Sequence, residues 1–309
     1  MSSGLSAPSF GVFVPQMASD AASVVATARS AEENGFDSFW IMDHLYAAGA
    51  PQMDVLESWI LLSTIAANTS TIRLGQLVGC NPFRHPAVVA KMAATLDHVS
   101  NGRLDLGLGW GSIEEEFAKF GFEVGSRRER AERLAETIEI LRLMFSGEAF
   151  DYAGKHFKLE NAWGLPRPVQ PTIPIHIGGA GKQLTMPLVA EYADWWNCTA
   201  NARANFTELA PLRGSARISV QYPVGLVHPG DDPEEVLAKT RRRMPVSGWG
   251  EPVVGTAEQL LAQLAADQDR GVELFILRFH DRAAARTLEL FGREVAEPLR
   301  RRATTADGR

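Results

Sequence analysis

Short apolar segments alternate with longer amphipathic ones along the chain, and this alternation restricts its fold more than any other feature. The short segments are apolar on both faces, as expected for strands of a parallel sheet that is covered on both sides. The longer segments carry their apolar residues along one helical face. The predicted strands fall at 8–15, 36–42, 72–78, 102–109, 173–179, 193–197, 223–227 and 272–279.

Eight strand–helix pairs predict a (β/α)8 TIM barrel. A doubly wound open sheet is the alternative, but such a fold usually places a glycine-rich turn after its first strand. Here the first strand ends in Pro15 and Gln16. We therefore expect one closed barrel domain over 1–299, followed by a disordered, arginine-rich tail over 300–309.

The segment 148–172 interrupts the alternation after the fourth helix. That helix has the clearest start in the sequence, because Ser126 and Glu129 have the spacing of a capping box. The segment that follows it combines a turn pattern with a proline-rich connector. We predict an insertion hairpin here, added to the barrel.

Composition excludes several classes of partner. The 309 residues carry a net charge of −6, so the chain has no electrostatic attraction to nucleic acid. Cys80 and Cys198 have no metal-like spacing and form no disulfide framework, which favours a reduced, cytoplasmic home. No apolar run approaches the ~20 residues of a membrane helix. The start, MSSGLSAPSF, lacks the features of a signal peptide.

Candidate catalytic residues follow the second strand directly. Active sites of TIM barrels form at the carboxyl ends of the strands, and Asp43 and His44 stand at such an end. A neutral imidazole can act as general acid or base, and the carboxylate beside it can accept hydrogen bonds from a cofactor. A helix cap or a buried structural histidine is the alternative, which the position at a strand end disfavours.

Three further strand exits have unusual sequences. GQLVGCNPFRHP (75–86) favours a backbone bulge against a flat ring, although glycines in strands can also simply relieve crowding. In GLGWGS (107–112) Trp110 offers an aromatic wall, with core packing as its alternative. IHIGGAGK (175–182) is either an anion site at a helix start or a structural turn. The residues alone predict a barrel enzyme that binds a small molecule, flat and phosphorylated.

The same segments resemble the luciferase-like monooxygenase superfamily. AEENGFDSFWIMDH, IRLGQLVGCNPFRHPAVVAKMAATLDHVSNGRLDLGLGWG and PIHIGGAG occur in the family's order within roughly residues 8–200. The resemblance implies a barrel that usually dimerises and binds FMN or the 8-hydroxy-5-deazaflavin coenzyme F420. LGQLVGCN and AKMAATLD are most similar to the deazaflavin-dependent branch, which implies F420 as the cofactor and FMN as the alternative.

The resemblance also implies roles for individual residues. The residue matching His44 lies beside the reactive ring carbon, so His44 is expected to exchange the proton that accompanies hydride transfer. A cis peptide bond is implied at Leu77–Val78, behind the ring. Glu115 and Glu116 match positions near the cofactor's polar side chain, with exposed helix surface as the alternative for each. The cofactor-binding residues implied are Asp43, Leu77, Val78, Glu115, Ile177, Gly178, Gly179 and Ala180. The residues expected around the substrate are Phe13, Trp110 and Trp196.

These roles imply an oxidoreductase that moves hydride between F420 and a small, apolar or planar substrate. One position departs from the pattern: the deazaflavin-dependent sugar-phosphate dehydrogenases have a glutamate as general acid where this chain has Ser112. Sugar-phosphate oxidation is therefore not implied. The alternative enzyme is an FMN-dependent monooxygenase that uses oxygen and receives reduced flavin from a partner reductase. A non-catalytic flavin-binding protein is the alternative outside enzymes.

Overall fold

The computed structural model describes residues 7–47 and 49–306. Residues 1–6, position 48 and residues 307–309 lie outside this described part. Most of the segment in which we expect no signal peptide, and the end of the expected tail, are therefore not described.

The strands alternate with helices in the predicted order. The strands are β1 Ser9–Phe13, β2 Ser38–Ile41, β3 Arg73–Gln76, β4 Gly79–Cys80, β5 Leu106–Gly109, β6 Phe150–Ala153, β7 Lys158–Ala162, β8 Ile175–Gly178, β9 Trp195–Cys198, β10 Arg217–Leu226, β11 Val253–Gly255 and β12 Leu274–Phe279. The helices are α1 Ala21–Glu33, α2 Ser58–Ala67, α3 Pro86–Ser100, α4 Glu114–Phe120, α5 Arg127–Ser146, α6 Thr185–Tyr192, α7 Phe206–Leu209, α8 Pro233–Arg243, α9 Val246–Trp249, α10 Ala257–Asp269, α11 Ala285–Phe291 and α12 Glu297–Ala306.

One ten-stranded sheet forms the barrel, in the order β3, β2, β1, β12, β10, β9, β8, β5, β4, with β11 paired to β10. All its strand pairs are parallel. The two ends of the sheet meet, because Leu74 forms a parallel bridge with Leu104 and β4 pairs with β5. β3 and β4 are two parts of one barrel strand, separated at residues 77–78. The prediction of a TIM barrel is confirmed.

The segment 148–172 lies outside the barrel sheet. Within it, β6 and β7 pair antiparallel as a separate two-stranded sheet. The Glu136 carboxylate of α5 accepts hydrogen bonds from the backbone N–H groups of Lys155, His156 and Phe157 at 2.8–3.1 Å. These bonds hold the turn of the hairpin against the helix that precedes it.

The end of the chain differs from the expected disordered tail. α12 begins at Glu297 and continues to Ala306, after a π-helical turn over Gly292–Ala296. Arg300 of this helix donates to the Gly35 carbonyl at 2.9 Å and to the Asp37 carboxylate at 2.6 Å. These hydrogen bonds from Arg300 to the loop before β2 hold α12 against the barrel.

Large side chains fill the barrel interior where neighbouring strands have glycine. Trp40 of β2 has no exposed surface, and its indole N–H donates to Ser38 Oγ at 2.8 Å. A Cβ on Gly11 or Gly75 would lie 2.7 or 2.5 Å from the Trp40 indole, so these positions have no room for a side chain. The barrel is thus a packed core, and the space for a ligand lies at the strand ends. No described helix is both long and apolar enough to cross a membrane.

Candidate active site

A cavity of about 490 Å³ opens at the carboxyl ends of β2, β4, β5, β8 and β9, and we call it the main cavity. Its volume is in the range of small-molecule sites. Eight of the residues predicted for the site line it: Asp43, His44, Leu77, Val78, Trp110, Gly178, Gly179 and Ala180. The strand exits therefore bring most of the predicted residues together.

His44 forms a pair with Glu116 of α4. Glu116 Oε2 lies 2.8 Å from His44 Nδ1, and Glu116 Oε1 accepts the Leu45 N–H at 2.6 Å. Glu116 is buried, whereas about a third of the His44 side chain is exposed. An ionised carboxylate only accepts hydrogen bonds, so Nδ1 carries a proton and a neutral His44 keeps its lone pair on Nε2. Nε2 has no hydrogen-bond partner in the described chain and is the ring atom that can exchange a proton with a ligand.

The Asp43 carboxylate is held by other parts of the chain. It accepts from Ser58 Oγ at 2.7 Å, from the Cys80 N–H at 2.8 Å, and from both terminal nitrogens of Arg84 at 2.7 and 3.1 Å. Burial acts to lower the pKa of Arg84, but hydrogen bonds to Asp43 and its charge raise that pKa above the ordinary value. These donors fill the usual acceptor sites of a carboxylate. Asp43 therefore acts as an anchor, rather than as the free hydrogen-bond acceptor that we expected from the sequence.

The strand between β3 and β4 bulges into the main cavity at Leu77 and Val78. The Leu77–Val78 peptide bond is cis, as the resemblance implies. Two strands have glycine where Val78 approaches them: β5, which pairs with β4, and β8, which is the next strand beyond β5. A Cβ on Gly109 would lie 2.6 Å from a Val78 methyl carbon, and one on Gly178 would lie 2.9 Å from the other. The missing side chains let Val78 form part of the cavity wall.

A glycine turn follows β8 and leads into α6. Gly179 has a φ of +128°, and a Cβ there would lie 3.0 Å from the Thr185 side chain. The backbone N–H groups of Ala180 and Gly181 make no hydrogen bond within the described chain. No side chain caps the N-terminus of α6. Free N–H groups at an uncapped helix start attract an anion.

Trp110 is fixed as a wall of the main cavity. Its indole N–H donates to Thr185 Oγ1 at 3.1 Å, which links the exit of β5 to the start of α6. The Arg130 guanidinium carbon lies 5.5 Å from the centre of its ring. Trp110 therefore forms part of the cavity wall.

Two predicted residues face away from the cavity. Successive side chains of a strand point to opposite faces, and because Asn197 points into the cavity, Trp196 points to the helices. Both Trp196 and Ile177 are fully buried there. Trp196 stacks on Phe206 at 5.8 Å, and its N–H donates to the Gly179 carbonyl at 2.8 Å. Trp196 thus supports the glycine turn from behind, instead of contacting a substrate.

The placement of Glu115 and Phe13 also differs from the prediction. Glu115 is exposed and forms an ion pair with Lys119 at 2.7 Å on the surface of α4. Adjacent helical residues lie ~100° apart around the axis, so Glu116 is the one that turns towards His44. Phe13 is buried in the barrel interior, with its ring centre 6.1 Å from that of Trp249, which lines the main cavity. Phe13 therefore lies behind the wall of the main cavity and lines a second, smaller cavity beside the ends of β1 and β12.

Sequence reasoning missed Asn197, Gln221 and Trp249, all of which line the main cavity. Gln221 Nε2 donates to Asn197 Oδ1 at 2.7 Å, and Asn197 Nδ2 donates to Ser219 Oγ at 3.0 Å. The side-chain amide oxygen of Gln221, Oε1, has no hydrogen-bond partner in the described chain and can accept a hydrogen bond from a ligand. A polar residue inside the apolar strand WWNC was the available signal for Asn197.

Cys80 lines the same cavity, and burial raises the pKa of its thiol. It is therefore a neutral thiol at neutral pH.

Within the described ranges, no group of three or more His, Cys, Asp or Glu side chains is arranged to hold a metal ion.

Comparison with known proteins identifies the family. The family model described as luciferase-like monooxygenase matches residues 3–270. The chain belongs to the luciferase-like monooxygenase family.

This luciferase-like chain is similar in sequence to several mycobacterial and actinobacterial proteins. An uncharacterized protein of Mycobacterium tuberculosis is 34% identical over 190 residues, which cover 56% of this chain and 66% of the relative. The F420-dependent hydroxymycolic acid dehydrogenase of the same species is 33% identical over 205 residues, 66% of this chain and 56% of the relative. The F420-dependent glucose-6-phosphate dehydrogenase of Kineococcus radiotolerans is 32% identical over 235 residues, 71% of this chain and 68% of the relative. The alignments with the first two thus span less than two thirds of their lengths.

Solved structures of other proteins share the fold. The coenzyme F420-dependent tetrahydromethanopterin reductase of Methanopyrus kandleri has a TM-score of 0.78 at 20% identity, over 94% of this chain and 99% of that one. The oxygenating constituent of 3,6-diketocamphane monooxygenase of Pseudomonas putida, in complex with FMN, has a TM-score of 0.73 at 17% identity, over 94% of this chain and 98% of that one.

We expect Asp43→Asn to destabilise the protein, because it removes the buried charge that pairs with the largely buried Arg84 and leaves that arginine with only the exposed Glu57 as its counter-ion. The loss in the free energy of unfolding should be about 2–4 kcal/mol in chemical denaturation. Asp269→Asn is the matched control: Asp269 pairs with Arg302 on the surface, and exposed pairs contribute about 0–1 kcal/mol. Equal losses in the two variants would contradict the anchoring role of Asp43.

Proposed function

We propose that this chain is an oxidoreductase that transfers hydride between the deazaflavin coenzyme F420 and a small organic substrate. One observation carries the proposal: the His44–Glu116 pair, the Val78 bulge and the glycine turn face one cavity. The relatives named as F420-dependent dehydrogenases support the choice of coenzyme.

The residues of the glycine turn fit the phosphate of such a coenzyme. A Cβ at Gly179 or Gly181 would lie 3.0–3.2 Å from Thr185 atoms, so a side chain at either position would crowd the turn. The free N–H groups of Ala180 and Gly181 and the uncapped start of α6 supply hydrogen-bond donors and partial positive charge. These are the features that bind phosphate in late loops of TIM barrels.

The walls of the main cavity fit a flat ring system. Val78 projects from the bulge on one side, and the Trp110 and Trp249 side chains supply aromatic surface elsewhere in the cavity. When bound, the coenzyme supplies a ring carbon that gives or takes hydride in a two-electron step. The chain's part is to orient the two reactants and to exclude water from them.

His44 moves the proton in this proposal. Glu116 fixes Nδ1 as the protonated nitrogen, which leaves Nε2 to accept a proton from an alcohol or to return it to a carbonyl oxygen. The buried carboxylate also stabilises the imidazolium that forms when Nε2 is protonated. Gln221 and Asn197 offer polar atoms to position the same group of the substrate.

The second candidate is an FMN-dependent monooxygenase supplied with reduced flavin by a partner reductase. It is favoured by the family description itself and by a glycine turn that suits the phosphate of either cofactor.

We also propose that the chain forms a homodimer through the exposed apolar side chains Ile60 of α2 and Val88 and Val99 of α3. Sedimentation as a monomer at micromolar concentration would refute the dimer.

Titration of the purified protein with F420 and with FMN, each oxidised and reduced, tests the function. We expect F420 to bind at micromolar concentration and FMN to bind at least about tenfold more weakly, as followed by cofactor fluorescence. Tight binding of reduced FMN, with oxygen consumption on addition of substrate, would replace the proposal by the monooxygenase. Failure of both cofactors to bind would refute both.

His44→Ala should lower turnover about 100-fold, since general acid–base catalysis contributes about that factor. The Kd of F420 should change little. Glu116→Gln should lower turnover about tenfold through loss of the orienting carboxylate. Turnover is measured on the first substrate that an anaerobic screen with F420 identifies.

Glu115→Gln is the control for Glu116→Gln, because Glu115 has the same chemistry but pairs with Lys119 outside the cavity. It should leave turnover unchanged. A His44→Ala variant that retains turnover within about threefold would show that His44 does not transfer the proton.

A further inference from the structure

A second cavity of about 240 Å³, which we call the basic cavity, lies beside the ends of β1 and β12. Four of its lining residues are basic: Arg243, Arg278, His280 and Arg282. None of the described residues that line it is acidic. Asp281 is adjacent in sequence, but its carboxylate accepts hydrogen bonds from Thr287 and the Ala284 N–H and does not line the cavity.

Arg278 is the unusual residue of this cavity. It lies in β12 on the same face as Ile276, which packs inside the barrel. Its guanidinium carbon lies 3.9 Å from the centre of the Trp249 ring. Within the described chain it has neither an ion pair nor a hydrogen bond. Burial and the charge of Arg282 lower the pKa of Arg278 to about 10, so it remains charged at neutral pH.

The other two arginines have partners. Arg243 donates to the His280 carbonyl, and Arg282 donates to the Ala18 carbonyl at 3.1 Å. Of these three arginines, only Arg278 has no hydrogen-bond partner in the described chain for any of its guanidinium N–H groups. A partly buried charge without a counter-ion is unfavourable, and a planar guanidinium is suited to bind a carboxylate or phosphate through two parallel hydrogen bonds.

The Trp249 ring lies between Arg278 of the basic cavity and the main cavity. The Arg278 guanidinium stacks on the Trp249 ring, and Trp249 also lines the main cavity. No described residue lines both cavities, so a ligand that reaches from His44 to Arg278 has to pass the edge of the Trp249 ring. We propose that Arg278 binds an anionic group, a carboxylate or a phosphate, of the substrate whose reacting carbon lies in the main cavity. This substrate assignment rests on the proposed function.

The anion bound by Arg278 belongs to the substrate and not to the coenzyme. Arg278 lies on β12, which in the closed sheet is three strand positions from β8 in one direction and five in the other. The glycine turn after β8, where we place the coenzyme phosphate, is therefore separated from Arg278 by the ends of β9 and β10. The two anion sites serve two different ligands.

Calorimetric titration of the whole protein with benzoate, phenyl phosphate and neutral benzamide tests the proposal. We expect at least one anion to bind about tenfold more tightly than benzamide, as a charge-assisted hydrogen-bond pair provides. The tighter of the two anions identifies the acidic group as carboxylate or phosphate. If neither anion binds more tightly than benzamide, the proposal is wrong.

Arg278→Met should remove the preference for the anion, and Arg278→Lys should reduce it, because lysine keeps the charge and loses the planar fork. Arg286→Met is the control, since Arg286 is exposed on α11 and lines neither cavity. Retention of the full preference in Arg278→Lys or Arg278→Met would overturn the proposal. If Arg278→Met does not fold, the proposal is still tested by Arg278→Lys and by the preference of the wild-type protein for the anions over benzamide.

F420 titration of the same variants separates this inference from the proposed function. Arg278→Met should bind F420 as the wild type does; a loss of F420 affinity would assign Arg278 to the coenzyme and overturn the substrate assignment. If F420 binds and no anion preference exists, only the substrate assignment fails. If the anion preference follows Arg278 but F420 does not bind, the anion site stands and the proposed function fails.

Discussion

The buried Asp43 carboxylate is the interaction on which the candidate site depends. It joins the exit of β2 to Ser58 of α2, to the backbone of β4 through Cys80, and to Arg84 before α3. A buried carboxylate requires compensation by donors and positive charge, so the three segments are held in one arrangement. His44 follows Asp43 directly and takes its position from that arrangement.

The second constraint is the space left by glycine around the bulge of the third barrel strand. Val78 lies against Gly109 and Gly178, where added side chains would collide with its methyl groups. The bulge, the exit of β5 and the glycine turn after β8 therefore depend on one another. Trp110 and Trp196 reinforce this group, since their indole N–H groups bond Thr185 and the Gly179 carbonyl. The cavity wall is thus a consequence of packing between three strands.

The fold could be predicted from the sequence because the strand–helix alternation extends over the whole chain and each strand exit marks a place at the barrel mouth. Side-chain direction could not be predicted so well. β8 and β9 have only four residues each, too few for a repeating pattern to show which face lines the cavity; the polar Asn197 in WWNC was the one indication, and the aromatic Trp196 was chosen instead. In α4 three glutamates are consecutive, and only the contact with His44 distinguishes Glu116 from Glu115. For Arg278, a single charge within the apolar strand LFILRF was a signal that went unused.

The central claim is that the main cavity holds a deazaflavin coenzyme between the Val78 bulge and the glycine turn. The most direct test is a crystal structure of the protein soaked or grown with F420. We expect the ring system against Val78, with His44 beside it, and the phosphate hydrogen-bonded to the backbone N–H groups of Ala180 and Gly181. A coenzyme bound with its phosphate in the basic cavity, or its ring outside the main cavity, would contradict the account.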